Sequence, residues 1–130
     1  MYGIIATWRM ALEGISKADS MLKNNESAAD SIEEAIKAVE DFEYYKSVGY
    51  GGLPNEEMEV ELDAAFMDGD TLEFGCVGGV KDFANPVSIA RSLMHYDANN
   101  FLVGQGAEKY ASRHGFERKT MLTDRAKIHY

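Results

Sequence analysis

The run Ser47-Val48-Gly49-Tyr50-Gly51-Gly52-Leu53-Pro54-Asn55 suits neither a regular helix nor a central strand. Glycine loses too much backbone freedom in either, and proline removes a ladder donor. The run therefore predicts a shaped loop, which separates a strand and two helices before it from a hairpin and two helices after it.

Ahead of the loop, Gly3 to Trp8 is a short apolar run, with Ile4, Ile5 and Ala6 in series, that reads as a strand buried on both faces. Ala11, Ile15, Ala18 and Leu22 recur at helical spacing, with Glu13 and Lys17 as an i,i+4 pair. Asn24 and Asn25 interrupt that helix. Ser27 followed by Asp30 predicts the N-cap of a second helix with Ala28, Ile32, Ala35, Val39 and Phe42 on its apolar face. After the loop, alternation from Glu59 to Met67 puts Val60, Leu62, Ala64 and Phe66 on one face. Asp68-Gly69 offers turn chemistry, a second alternating run extends from Thr71 to Gly78, and Gly78-Gly79 is expected to end the hairpin. Asn85-Pro86 opens a third helix through Ile89, Ala90 and Leu93, and a fourth begins near Gln105 and stops at Gly115. From Glu117 to Tyr130 periodicity is lost, and that segment reads as a tail or linker.

This order predicts an α+β chain with helices layered on sheet. One strand and one hairpin are too little sheet to cover four amphipathic helices, so a partner polypeptide is expected to complete the core.

The net charge of −9 and pI near 4.7 disfavour nucleic acid and anionic membranes as partners, since both repel such a surface. No stretch approaches the roughly 18 to 20 apolar residues of a membrane span, and the apolar start lacks a basic lead and a cleavage site. The lone Cys76 excludes an internal disulfide framework and fits a reducing compartment. A cytoplasmic location is expected.

Neither metal nor cofactor is expected. His95, His114 and His129 are isolated in sequence and read as surface residues. Cys76 has no adjacent histidine or lysine and is expected on the inner face of its strand as a small hydrophobe. The glycine loop lacks a Gly-Lys-Ser/Thr ending and is followed by Glu56, Glu57 and Glu59, which would repel phosphate.

The glycine loop, the run Glu59-Val60-Glu61-Leu62-Asp63-Ala64-Ala65-Phe66-Met67-Asp68-Gly69, and the segments Gly75 to Val80, Asn85 to Arg91, Leu102 to Ala107 and His114 to Phe116 together resemble glycosylasparaginases and related asparaginase-type amidohydrolases. The likeness runs in the family's order as far as Phe116. Ala6-Thr7-Trp8 resembles the glycosylasparaginase branch, whereas isoaspartyl peptidases and plant-type asparaginases carry a His-Gly-Gly-Ala-Gly run there. The chain departs from the family at Met58, often glycine, and across Tyr96 to Asn100.

The resemblance implies a four-layer αββα sandwich of the N-terminal-nucleophile type, made as a precursor that cleaves itself ahead of a threonine. Residues 1–116 would be the α-subunit half, 117–130 the tail leading to the cleavage site, and a β-subunit from the same precursor would complete an (αβ)2 assembly. The nucleophilic threonine is expected on that β-subunit, which leaves no catalytic residue here. Trp8 would line the substrate site or else serve as a core tryptophan. Ser47 would support the threonine or else simply make a turn. Gly49, Gly51 and Gly52 would shape the loop, and Asp63 would give structural support. The implied activity is hydrolysis of the side-chain amide of N4-glycosylated asparagine. The alternatives are an isoaspartyl peptidase or L-asparaginase of the same superfamily, and a non-catalytic interaction fragment without a nucleophile.

Overall fold

The computed structural model describes residues 1–130. A 3-10 turn, Arg9–Ala11, leads into α1 (Leu12–Lys23), and α2 (Ala28–Glu40) folds back against it. The cap expected at Ser27 is present: its Oγ accepts the Asp30 N–H at 3.0 Å. Lys17 of α1 and Lys37 both pair with Glu34 of α2, at 2.5 and 2.6 Å, and their hydrogen bonds hold the Glu34 carboxyl below its ordinary value.

The glycine-rich stretch is irregular, as its composition requires, and delivers the chain to β1 (Glu61–Met67) and β2 (Phe74–Lys81). These pair antiparallel, and β3 (Phe101–Val103) adds to β2 in parallel, giving the sheet order β1-β2-β3. Helices α3 (Pro86–Leu93) and α4 (Gly104–Arg113) cover one face of this sheet, and a short α5 (Asp124–His129) follows. The core lies between sheet and helices, where Phe66, Val77, Val80, Phe83, Val87, Ile89, Ala90, Leu93, Ala107, Tyr110 and Ala111 form one cluster. Each large side chain removed from water there contributes about 1.5 to 3 kcal/mol. No helix is long and apolar enough to cross a membrane.

Five expectations need correction. Gly3 to Trp8 is not a strand. The sheet of this chain lies elsewhere, so no strand pairs with the segment, and Ile5 and Trp8 are 94% and 67% exposed. The third strand is β3, which is too short to show an alternation.

Gly78-Gly79 does not end the hairpin. The register shifts between Leu62 and Ala64, so that Asp63 faces a bulge at Gly78-Gly79, and β2 runs on to Lys81. The turn is longer than Asp68-Gly69, because the Asp68 Oδ1 accepts the N–H groups of Asp70 and Thr71 and the second strand begins only at Phe74.

Cys76 is not on the inner face. Gly75 and Val77 face the helices, and Cys76 is half-buried on the opposite side beside Ala65 and Phe101. Helix α3 sits so close that a Cβ at position 75 would lie 2.0 Å from the Ala90 carbonyl oxygen, so the inward position has room only for glycine.

The segment from Glu117 onward is not a loose tail. Arg118 bridges to Phe83, Met121 is buried with Val60 and Leu62, and Thr123 caps α5 by accepting the Ala126 N–H at 3.1 Å.

Candidate functional site

The faces of α1 and α2 that carry Ile15, Leu22, Ile32, Ala35 and Val39 look into an open apolar cleft of 690 Å³. On its far side lie Tyr2, Ile4, Ile5 and Trp8 from the amino-terminal segment, and at one end lie Ser47 and Val48 from the glycine-rich loop. Tyr2 ties the segment down by donating to Asp19 Oδ1 at 2.9 Å. Trp8, in extended conformation just before the 3-10 turn, leaves most of its indole free. The geometry thus places Trp8 and Ser47, two residues far apart in sequence, in the lining of one largely apolar cleft of the kind that small-molecule sites use.

Ser47 also borders a second cavity of 370 Å³, which it shares with Gly49, Glu40, Asp63 and the start of α3. The loop between them is folded back onto the end of α2: Tyr50 N–H donates to the Glu40 carbonyl oxygen at 2.7 Å, and Leu53 N–H donates to that of Lys46 at 2.9 Å. Gly49 and Gly51 sit at φ +60° and +82°, and a Cβ on Gly49 would stand 2.0 Å from the Glu40 carbonyl oxygen. Glycine is required there on both counts. Gly52 has an ordinary φ and is buried within the same turn. Asp63 is exposed on the outer face of β1, where its Oδ1 accepts the Gly79 N–H across the bulge at 2.8 Å.

Sequence reasoning missed Glu40. It reads as the polar end of an amphipathic helix, yet it is only 6% exposed. Its Oε1 accepts Val87 N–H at 3.2 Å, and its Oε2 accepts Asn85 Nδ2 at 3.3 Å. Burial pushes its carboxyl up to about 7, against the opposing pull of those two hydrogen bonds. The one sequence signal was Asn85-Pro86, since a helix opening there needs an acceptor for its free N–H groups.

The histidines do not converge on the cleft. His95 lies 3.5 Å from Glu73, His114 stacks on Tyr110 with ring centroids 3.9 Å apart, and His129 is exposed. No group of three metal-ligating side chains comes together.

The chain is thus a mixed α/β unit with one open sheet face and an open apolar cleft between its helix pair, its amino-terminal segment and its glycine-rich loop. The family model described as asparaginase matches residues 5–129, and the chain belongs to that family. It is 35% identical over 120 residues to an N(4)-(beta-N-acetylglucosaminyl)-L-asparaginase of Elizabethkingia miricola, covering 92% of this chain and 35% of the relative. It is 38% identical over 124 residues to an isoaspartyl peptidase/L-asparaginase of Rattus norvegicus, covering 90% and 37% respectively. Against a plant-type L-asparaginase of Thermococcus kodakarensis it is 36% identical over 121 residues, covering 93% and 35%. The chain therefore spans about a third of the length of these curated relatives.

Proposed function

We propose that this chain is the amino-terminal part of an amidohydrolase that cleaves the side-chain amide of N4-glycosylated asparagine. The observation that carries the reading is that Trp8, from the Thr7-Trp8 pair, and Ser47 line the same apolar cleft in a chain of the asparaginase family. The Trp8 indole walls the asparagine moiety and excludes water, and Ser47 offers a hydroxyl at the cleft's end. The nucleophile is a threonine outside these residues, released as the first residue of a companion β-subunit by self-cleavage. Its α-amino group, with an ordinary pKa of about 7.7 to 8.0, takes the hydroxyl proton. The oxygen attacks the amide carbon, the proton passes to the departing nitrogen, and water then hydrolyses the acyl-enzyme to release aspartate.

The uncovered outer face of the sheet, with Met67, Phe74, Phe101 and Val103 at 45% to 61% exposure, supports a second sheet stacking there to make the four-layer αββα sandwich. In this reading residues 117–130 lead on toward the self-cleavage site, the assembly is (αβ)2, and the enzyme is cytoplasmic.

Intact-mass analysis with amino-terminal sequencing of everything that co-purifies with the chain tests the assembly. A second polypeptide beginning with threonine is expected, and a lone 14.4 kDa species that hydrolyses nothing would overturn the reading. Turnover of N4-glycosylated asparagine, isoaspartyl dipeptides and free asparagine then separates the branches. Preference for the dipeptide would move the protein to the isoaspartyl peptidase branch.

A further inference from the structure

Glu40 is the one acidic residue of the chain that is buried, and three different parts of the molecule meet on it. Its backbone carbonyl accepts from Tyr50 in the glycine-rich loop, and a Cβ at Gly49 would collide with that same oxygen. Its carboxyl accepts from Val87 in the first turn of α3 and from the Asn85 side chain, which also holds Asp41 Oδ1 at 2.9 Å. The cavity it borders is the one that contains Ser47.

We propose that Glu40 is a positioning residue, a clasp that sets the place of the Ser47 loop by fastening it through the α2 terminus to the start of α3. The proposal deepens the amidohydrolase reading, on which the importance of Ser47 rests. It extends that reading because no residue of the clasp touches the Trp8 cleft except through the loop.

The surroundings make the clasp sensitive to protons. On α2 the charges acting on Glu40 are those of Asp41 and Glu33, both acidic. From β1, Glu61 and Asp63 line the same cavity, and on α3 the cation Arg91 is engaged by Asp30 and Glu33. The closed clasp therefore favours the neutral carboxyl, and local opening that hydrates Glu40 becomes easier as the pH rises from the ordinary 4.5 toward about 7, above which it changes no further.

The test uses the natural protein with every chain that co-purifies, as wild type, Glu40→Gln and Glu40→Ala. Amide exchange at Val87 and Tyr50, corrected for intrinsic rate, is followed from pH 5.5 to 8.5 alongside kcat and KM for an asparagine-derived amide. In the wild type, protection at both amides should fall about tenfold or more between pH 5.5 and about 7 and level off above that. Glu40→Gln should remove that step and keep most of kcat. Glu40→Ala should lose protection at both amides and lower kcat about tenfold or more, with a smaller change in KM. A pH step in Glu40→Gln identical to the wild type's, or undiminished Tyr50 protection in a folded Glu40→Ala, would overturn the proposal. If Glu40→Ala does not fold, the Glu40→Gln comparison decides. If no variant hydrolyses any amide, the amidohydrolase reading fails, while the exchange data still decide for or against the clasp.

Discussion

Helices α2 and α3 carry apolar faces of similar strength in sequence, yet they meet opposite fates. On α3, Val87, Ile89, Ala90 and Leu93 are at most 1% exposed beneath the sheet, whereas Ile32 on α2 remains 42% exposed. The difference lies in what covers them. The three strands lie against α3 and α4, whereas over the cleft-facing side of α1 and α2 lie only the unpaired amino-terminal segment and the glycine-rich loop, with Ala29 and Ile36 of α2 reaching the main core. Amphipathicity records that a face must be covered, and it is silent on whether the same chain does the covering. The largest test of this contrast is a pair of truncations. Leu93→Ala should cost about 2 to 5 kcal/mol by denaturant unfolding, because it leaves a cavity in a closed core. Ile32→Ala should cost under about 1 kcal/mol in this chain alone. Equal costs would mean that the cleft is closed in solution.

The second test lies where the two layers join. The folded-state pKa of Glu40, about 7, is above its ordinary 4.5. Below that lower value the group is neutral in both states and costs nothing. The folded state is penalised increasingly as pH rises between the two, and above about 7 the full penalty applies, about 3 kcal/mol at most. Glu40→Gln cannot ionise, so its stability relative to wild type should improve by about 2 to 3 kcal/mol between pH 5 and pH 8. A difference independent of pH would show that the carboxyl is hydrated and that the join between layers is open too.

The same contrast explains what was legible in the sequence. The inner face of β1, with Leu62 and Phe66 buried, followed from alternation because this chain itself covers it, Phe66 in the core beneath the helices and Leu62 against Met121. The Ser27 cap and the Gly115 stop, at φ +82°, are local devices whose partners lie within a few residues. Gly3 to Trp8 was misread because an apolar run cannot declare whether its neighbours are in the chain. The side of Cys76 was misread because the bulky Phe74 lies on the same outer face, 45% exposed, while the core side at position 75 holds a glycine. At the site, Ser47, Gly49, Gly51 and Gly52 were visible as a loop and Trp8 as an aromatic. The sharing of one cleft by Trp8 and Ser47, and of one cavity by Ser47, Gly49 and Glu40, is a product of long-range packing that spacing does not encode.

A third and smaller effect separates binding from folding on the open side. Trp8 is two-thirds exposed, so Trp8→Ala should leave the unfolding midpoint within about 0.5 kcal/mol of wild type. In the assembled enzyme it should raise KM about tenfold, the equivalent of about 1.4 kcal/mol of substrate contact. Unchanged kinetics would remove Trp8 from the substrate wall and leave the cleft as an interface only. A large loss of stability in the assembled protein would instead make it a core residue of the completed fold.

The smallest effect isolates backbone strain from either kind of burial. Met58 stands at φ +61° in the turn that leads to β1, where Asn55 Oδ1 accepts from the N–H groups of Glu57 and Glu59. The left-handed region costs a residue with a Cβ about 1 to 2 kcal/mol. Met58 is partly exposed, at 37%, and so recovers only part of that through burial. Met58→Gly relieves the strain but frees the unfolded chain, which offsets roughly half of the gain. The net should be a stabilisation of about 0.5 to 1 kcal/mol, read as a shift in the denaturation midpoint with an unchanged slope. Because the turn belongs to neither helix layer, the gain should add to the cost of Leu93→Ala without coupling. A destabilised Met58→Gly would mean that the methionine side chain is buried against a partner in the assembled protein, and this turn would then belong to the uncovered part of the molecule.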